Sequence, residues 1–156
     1  MHVRVNTLWR VPVFYLCASW ISFYLTVYLG FLYLVKTTGA DGVTEVSVDP
    51  IRSAIFNLVL LLAVLLLGGL WAFRGMTKLE IFFSAIIVFV PFLIINRAPF
   101  LVEMPMSLRI IFDKLNYLSN LVYSPLVLLT DNFNFSVLIS DLTPFLFIPF
   151  GKRSVH

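Results

Sequence analysis

Long uncharged apolar runs alternate with short polar segments along this chain. Residues 11–35 carry no charge over 25 positions. Residues 51–73 hold Asn57 as their strongly polar interior side chain, and residues 79–96 admit Glu80 only at the entry, with Pro91 inside. Each run approaches the roughly 20 residues of helix that cross a bilayer core. A fourth run, 135–150, is a few residues short and contains Asp141. Between the third and fourth runs, Leu108, Ile111, Phe112, Leu115, Leu118 and Val122 recur at helical spacing from Pro105, while Arg109, Asp113, Asn116 and Asn120 fall on the opposite face. That pattern predicts an amphipathic helix over about 105–122, lying flat at a membrane surface, with Arg109 and Asp113 spaced to pair.

The expectation is an all-α integral membrane protein. A bundle of four transmembrane helices (about 11–35, 51–73, 79–96 and 135–150) forms a single membrane domain over 1–156, with the interfacial helix between the third and fourth. A rival reading joins 117–150 into one broken helix or a re-entrant hairpin. Residues 36–50, with Gly39, Gly42 and Pro50, are expected as a polar loop, in which Asp49 caps the second helix and Pro50 is its first residue. Asp131, Asn132 and Asn134 break the chain before the last run. No internal repeat or inverted pair of broken segments suggests a transporter built from duplicated halves.

Composition agrees. Of 156 residues, 60% are hydrophobic and 12% charged, against about 25% charged in a soluble domain. So thin a polar shell excludes a water-soluble globule. The net charge of +3 does not indicate nucleic-acid binding, because the cations sit between apolar runs and form no basic face interleaved with aromatics. The first run is too long for a secretory signal and is expected to be retained. Arg4, Arg10, Arg74, Lys78, Lys152 and Arg153 crowd short segments beside the runs, whereas Lys36, Arg52, Arg97, Arg109 and Lys114 are spread over longer loops. The positive-inside rule then places both termini in the cytoplasm, in the cytoplasmic membrane. Trp9 and Trp71 fall near the inner interface and Tyr33 near the outer one.

Asp141 is the costly residue. Counting about 1.5 Å per residue from the outer ends of their helices puts Asp141 and Asn57 both about 9 Å deep. Asn96, Arg97 and Tyr28 fall in the same outer stratum. One reading is a small polar site open to the outside, for a proton, a cation or a polar headgroup. The other is an interhelical clamp, with Asp141 protonated or paired to Arg97.

Assembly has its own signature. Ala18, Ser22, Thr26 and Gly30 place small residues at every fourth position of the first helix, and Gly68 and Ala72 repeat the spacing on the second. Such a ridge admits close approach of another helix, either the second helix of the same chain or a partner. Cys17, the single cysteine, is expected as a buried thiol. His2 and His156 stand at the termini with no metal-ligand spacing. No nucleophile–base pair, metal motif or phosphate loop is present, so neither an enzyme nor a cofactor is implied. The sequence points to a non-catalytic accessory or interaction protein whose partners are the lipid bilayer and another membrane protein or a second copy. The alternative is a small transporter or channel subunit using Asp141 as a proton or cation site.

Overall fold

The computed structural model describes residues 7–38, 44–97 and 105–152. His2, Arg4, Gly39, Gly42, Glu103, Arg153 and His156 lie outside the described residues, as do the side chains of Asn96 and Arg97. Six α-helices and one hairpin follow in order: α1 (Arg10–Tyr28), β1 (Leu34–Thr38), β2 (Thr44–Val48), α2 (Pro50–Leu67), α3 (Lys78–Arg97), α4 (Met106–Leu115), α5 (Tyr117–Thr130) and α6 (Phe133–Asp141). A π-helical turn, Gly68–Ala72, prolongs α2, and a 3₁₀ stretch, Thr143–Phe150, follows α6.

Among the described residues, three helices are long and apolar enough to cross a membrane: Arg10–Tyr28, Pro50–Ala72 and Lys78–Ile95. They carry large apolar side chains on exposed as well as buried faces. In α2 the inner face is Ala54, Asn57, Leu61, Val64 and Gly68, at alternating three- and four-residue steps, while Ile51, Ile55, Leu58, Leu62 and Leu66 point outward. Small and polar residues therefore share the inner face with Leu61 and Val64, while a row of large aliphatic ones faces out, an arrangement that suits lipid. The fourth segment is a bent pair, α6 and the 3₁₀ stretch, meeting at 50°. Nine α residues and eight 3₁₀ residues reach about 27 Å end to end across that bend. The pair counts as a fourth crossing only if it is taken as one span.

Local signals explain most boundaries. Asp49 accepts hydrogen bonds from the amides of Ile51 (3.0 Å) and Arg52 (3.1 Å), and Pro50 is the first helical residue, as expected. Thr77 and Glu80 form a reciprocal cap at the start of α3: the Thr77 amide donates to Glu80 Oε2 (2.8 Å) and the Glu80 amide to Thr77 Oγ1 (3.2 Å). Asp131 ends α5 in the left-handed conformation (φ 49°), and Asn132 caps α6 through the Phe135 amide.

Three expectations are corrected. The first helix does not run to 35 but stops at Tyr28, since Gly30–Leu32 tightens into a 3₁₀ turn and the Tyr33 hydroxyl donates to the Thr26 carbonyl (2.7 Å). The segment 36–50 is not a plain loop. Its flanks pair as an antiparallel hairpin, with Leu34 opposite Val48 and Lys36 opposite Val46. The helix over 105–122 is broken at Asn116 (φ −104°, ψ 19°): α4 ends there, and α5 turns into the bundle, where Leu118, Ser119, Leu121 and Val122 are buried. α5 packs most extensively on α2 and also against α6 and α1, so it does not lie flat on a surface.

One end of the bundle gathers the turn after α2, the start of α3 and both ends of the described chain. The Lys152 amide donates to the Met76 carbonyl (2.9 Å), the Lys78 amide donates to the Lys152 carbonyl (3.1 Å), and Ser84 Oγ donates to the Leu8 carbonyl. Here Phe14, Phe73 and Phe147 meet edge to face, with centroids 5.0–5.7 Å apart. Such pairs add roughly 0.5–1.5 kcal/mol each beyond the area they bury. The hairpin occupies the opposite end.

Candidate functional site

Asp141 is the last residue of α6 and is 9% exposed. It forms part of the wall of a cavity of 370 Å³ between α4, α5 and α6. Arg109 and Asp113 reach it from α4, Asn116 from the break, Ser119 and Asn120 from α5, and Ser140 from the residue before Asp141. The polar stripe that the sequence assigns to the outer face of a flat helix thus borders an open pocket, with Arg109, Asp113 and Asn120 exposed and Asn116 half-buried. Because the chain changes direction at Asn116 while the stripe continues at three- and four-residue steps, the two helices fold their polar faces around one volume.

Hydrogen bonds fix the floor. Asn116 Oδ1 accepts from the Tyr15 hydroxyl (2.7 Å) and from Ser119 Oγ (2.9 Å), and Tyr15 and Ser119 are themselves 3.1 Å apart. Ser19 Oγ accepts from the Leu118 amide (3.3 Å), an N–H with no intrahelical acceptor this close to the break. Asp141 lies near enough to Tyr15 to act on it electrostatically. Beyond the bend, Thr143 Oγ1 donates to the Ser140 carbonyl (2.5 Å), satisfying a backbone acceptor at the change of helix type. Behind the cavity, α1 thus holds Asn116 and Ser119 of its wall in place through Tyr15. The cavity brings two carboxylates, exposed Asp113 and buried Asp141, and one exposed guanidinium, Arg109, to a single space. Those groups can hold a cation, a proton or a polar headgroup.

The predicted stratum is only partly assembled here. Asp141 lines the cavity. Asn57 is buried on α2 and Tyr28 is 75% exposed, stacked on Tyr24, and neither lines it. Asn96 and Arg97 close α3, and their side chains lie outside the described residues. Sequence reasoning missed Tyr15 and Ser119, whose hydroxyls look unremarkable in apolar helices. It assigned Arg109, Asp113, Asn116 and Asn120 to a helix face without seeing that the face closes on Asp141.

The small-residue ridge is occupied within the chain. Ala18, Ser22, Gly30 and Gly68 are buried, and Thr26 and Ala72 are half-buried. α1 meets α3 and α5 more extensively than α2, so the ridge does not serve mainly to seat the first helix on the second. Ser22 Oγ and Asn57 Oδ1 are buried with no hydrogen-bond partner among the described residues. Cys17 is exposed on the outer face of α1 and not buried as expected, because the residues beside it, Ala18 and Ser19, take the inward positions. Among the described residues no three of His, Cys, Asp and Glu gather as a metal site requires. Comparison with protein-family models, with curated proteins and with solved structures found no match to this chain.

Proposed function

We propose that the chain is a small multi-pass protein of the cytoplasmic membrane with a non-catalytic, accessory role, crossing the bilayer four times, and that it engages its partner through the cavity at Asp141. The observation that carries this reading is the cavity itself, which gathers Arg109, Asp113, Asn116, Ser119 and Asp141 in a chain whose other outward surfaces are largely apolar. The ridge of small residues does not support docking as well, because it is covered from within. Orientation follows from charge: Arg10, Arg74, Lys78 and Lys152 are exposed at the end where the described termini meet, and short cationic segments favour the cytoplasmic side. Both termini are then cytoplasmic, and the hairpin is external.

A second reading, a proton or cation site in a small transporter or channel subunit, is favoured by one feature. Asp141 is buried beside a second carboxylate that lines the same space, and ionisable groups at membrane depth mark conduction paths. Replacing Asp141 with Asn and Arg109 with Gln separates the two. For the accessory role, co-elution of the partner in mild detergent is lost in either variant while flux into vesicles is absent in wild type. Proton or cation flux in wild-type vesicles that Asp141→Asn abolishes supports the second reading and overturns the first.

A further inference from the structure

A groove on the outside of the bundle is separate from the cavity at Asp141. It has a volume of 570 Å³ and lies between the start of α1 and the π-helical turn. Its walls are apolar and aromatic, including Trp9, Phe14 and Trp71, with Cys17 at its base and Arg10 at its rim. Trp9 is 63% and Trp71 80% exposed, so two indoles flank an open channel. The Phe14–Phe73 contact, 5.1 Å between centroids, ties the two sides together. It brings the residue one turn after Arg10 against the residue preceding the exposed Arg74, which follows the π-helical turn but is not part of the groove wall. Lys78 and Lys152 are exposed nearby, and Glu80, the acidic residue in this region, is turned inward and caps α3.

We propose that this groove holds an anionic phospholipid of the inner leaflet, one acyl chain against Phe14 and the indoles and the headgroup phosphate beside Arg10 and Arg74. The inference rests on the membrane placement of the three long helices and not on the cavity. Three features agree on this occupant. An apolar trough open along its length fits a hydrocarbon chain. Indoles at its mouth are where tryptophans sit at the membrane–water boundary. The Arg10 guanidinium in the groove wall, with exposed Arg74, Lys78 and Lys152 at the same end of the bundle, favours an anionic over a zwitterionic headgroup, as basic pockets between helices do on the cytoplasmic side.

The test uses the full chain in vesicles. In a Trp20→Phe background the remaining tryptophans, Trp9 and Trp71, both border the groove. Phosphatidylglycerol brominated on its acyl chains is compared with brominated phosphatidylcholine at equal mole fraction as a quencher of their fluorescence. The expected result is a preference for phosphatidylglycerol of about two- to five-fold. It should fall toward unity in Arg10→Gln, persist in Arg10→Lys, and weaken as salt screens the headgroup contact. Equal quenching by both lipids in the wild-type arginine background overturns the proposal, as does a preference that Arg10→Gln leaves intact. Loss of preference in Arg10→Gln counts only with an unchanged helical circular-dichroism spectrum, and the wild-type comparison stands whether or not that variant folds.

Discussion

The Tyr15 hydroxyl donates to Asn116 Oδ1 at 2.7 Å, joining the first helix to the point where α4 gives way to α5. Together with Tyr15–Ser119 and Ser19–Leu118 that contact holds the break in place, and Asn116, accepting from Ser119 as well, anchors the first turn of α5.

Tyr15→Phe keeps the ring and removes only the donor. We predict a loss of about 0.5–1.5 kcal/mol in unfolding stability. Asn116→Leu should cost more, since it leaves both hydroxyls without their common acceptor. Unfolding in mixed detergent micelles measures both, and equal stability of Tyr15→Phe and wild type would show that the contact contributes nothing.

Two glycines of the small-residue ridge should behave differently. A Cβ on Gly68 would lie 2.9 Å from Phe73 and 3.0 Å from both Phe14 and Phe147, three rings already packed on one another, whereas at Gly30 the nearest atom is the Tyr33 hydroxyl at 3.4 Å. Gly68→Ala is predicted to destabilise by about 1–3 kcal/mol, and Gly30→Ala to stay near wild type. Thermal aggregation in detergent ranks them; a reversed order refutes the packing around Gly68.

Thr77→Ala removes the hydroxyl that accepts from the Glu80 amide. The expected cost is about 1 kcal/mol. Thr77→Ser should recover most of it, because the serine hydroxyl occupies the same place. Failure of serine to rescue would assign the loss to the methyl group instead.

Cysteines introduced at Arg74 and at Glu45, in a Cys17→Ser background, test the threading. Membrane-impermeant maleimide should label Glu45→Cys from outside intact cells and Arg74→Cys only after the membrane is opened. Labelling of both from one side would contradict an odd number of crossings between the hairpin and the turn after α2.

The sequence makes the three long helices plain because one physical demand, a continuous apolar run, dominates them. The Asp49-Pro50 start was legible for a different reason, being a local rule with local partners. The hairpin was missed although Thr44, Val46 and Val48 alternate with Glu45 and Ser47; the glycines and charges around them resemble a loop when no apolar face is sought. The break at Asn116 was hidden more deeply. The apolar spacing passes through it unaltered, and what turns the chain is the partnership of Asn116 with Tyr15, about a hundred residues earlier. Asp141 stood out by its cost, but its neighbours on α4 and α5 could be found only once that turn was known.

The 3₁₀ winding of Thr143–Phe150 sets how the last segment answers to the thickness of its surroundings. Each residue there advances about 2.0 Å instead of 1.5 Å, so rewinding the eight as ordinary helix would shorten the segment by about 4 Å. Pro144 and Pro149 lack amide donors, and in ordinary helix their rings would crowd the carbonyls four residues back, which favours the 3₁₀ winding. In the proposed placement a thinner leaflet favours the shorter form and a thicker one the longer. Asp141 ends the helix two residues before this adjustable stretch, so in that placement lipid tail length becomes a variable that reaches the carboxylate without any ligand binding to it.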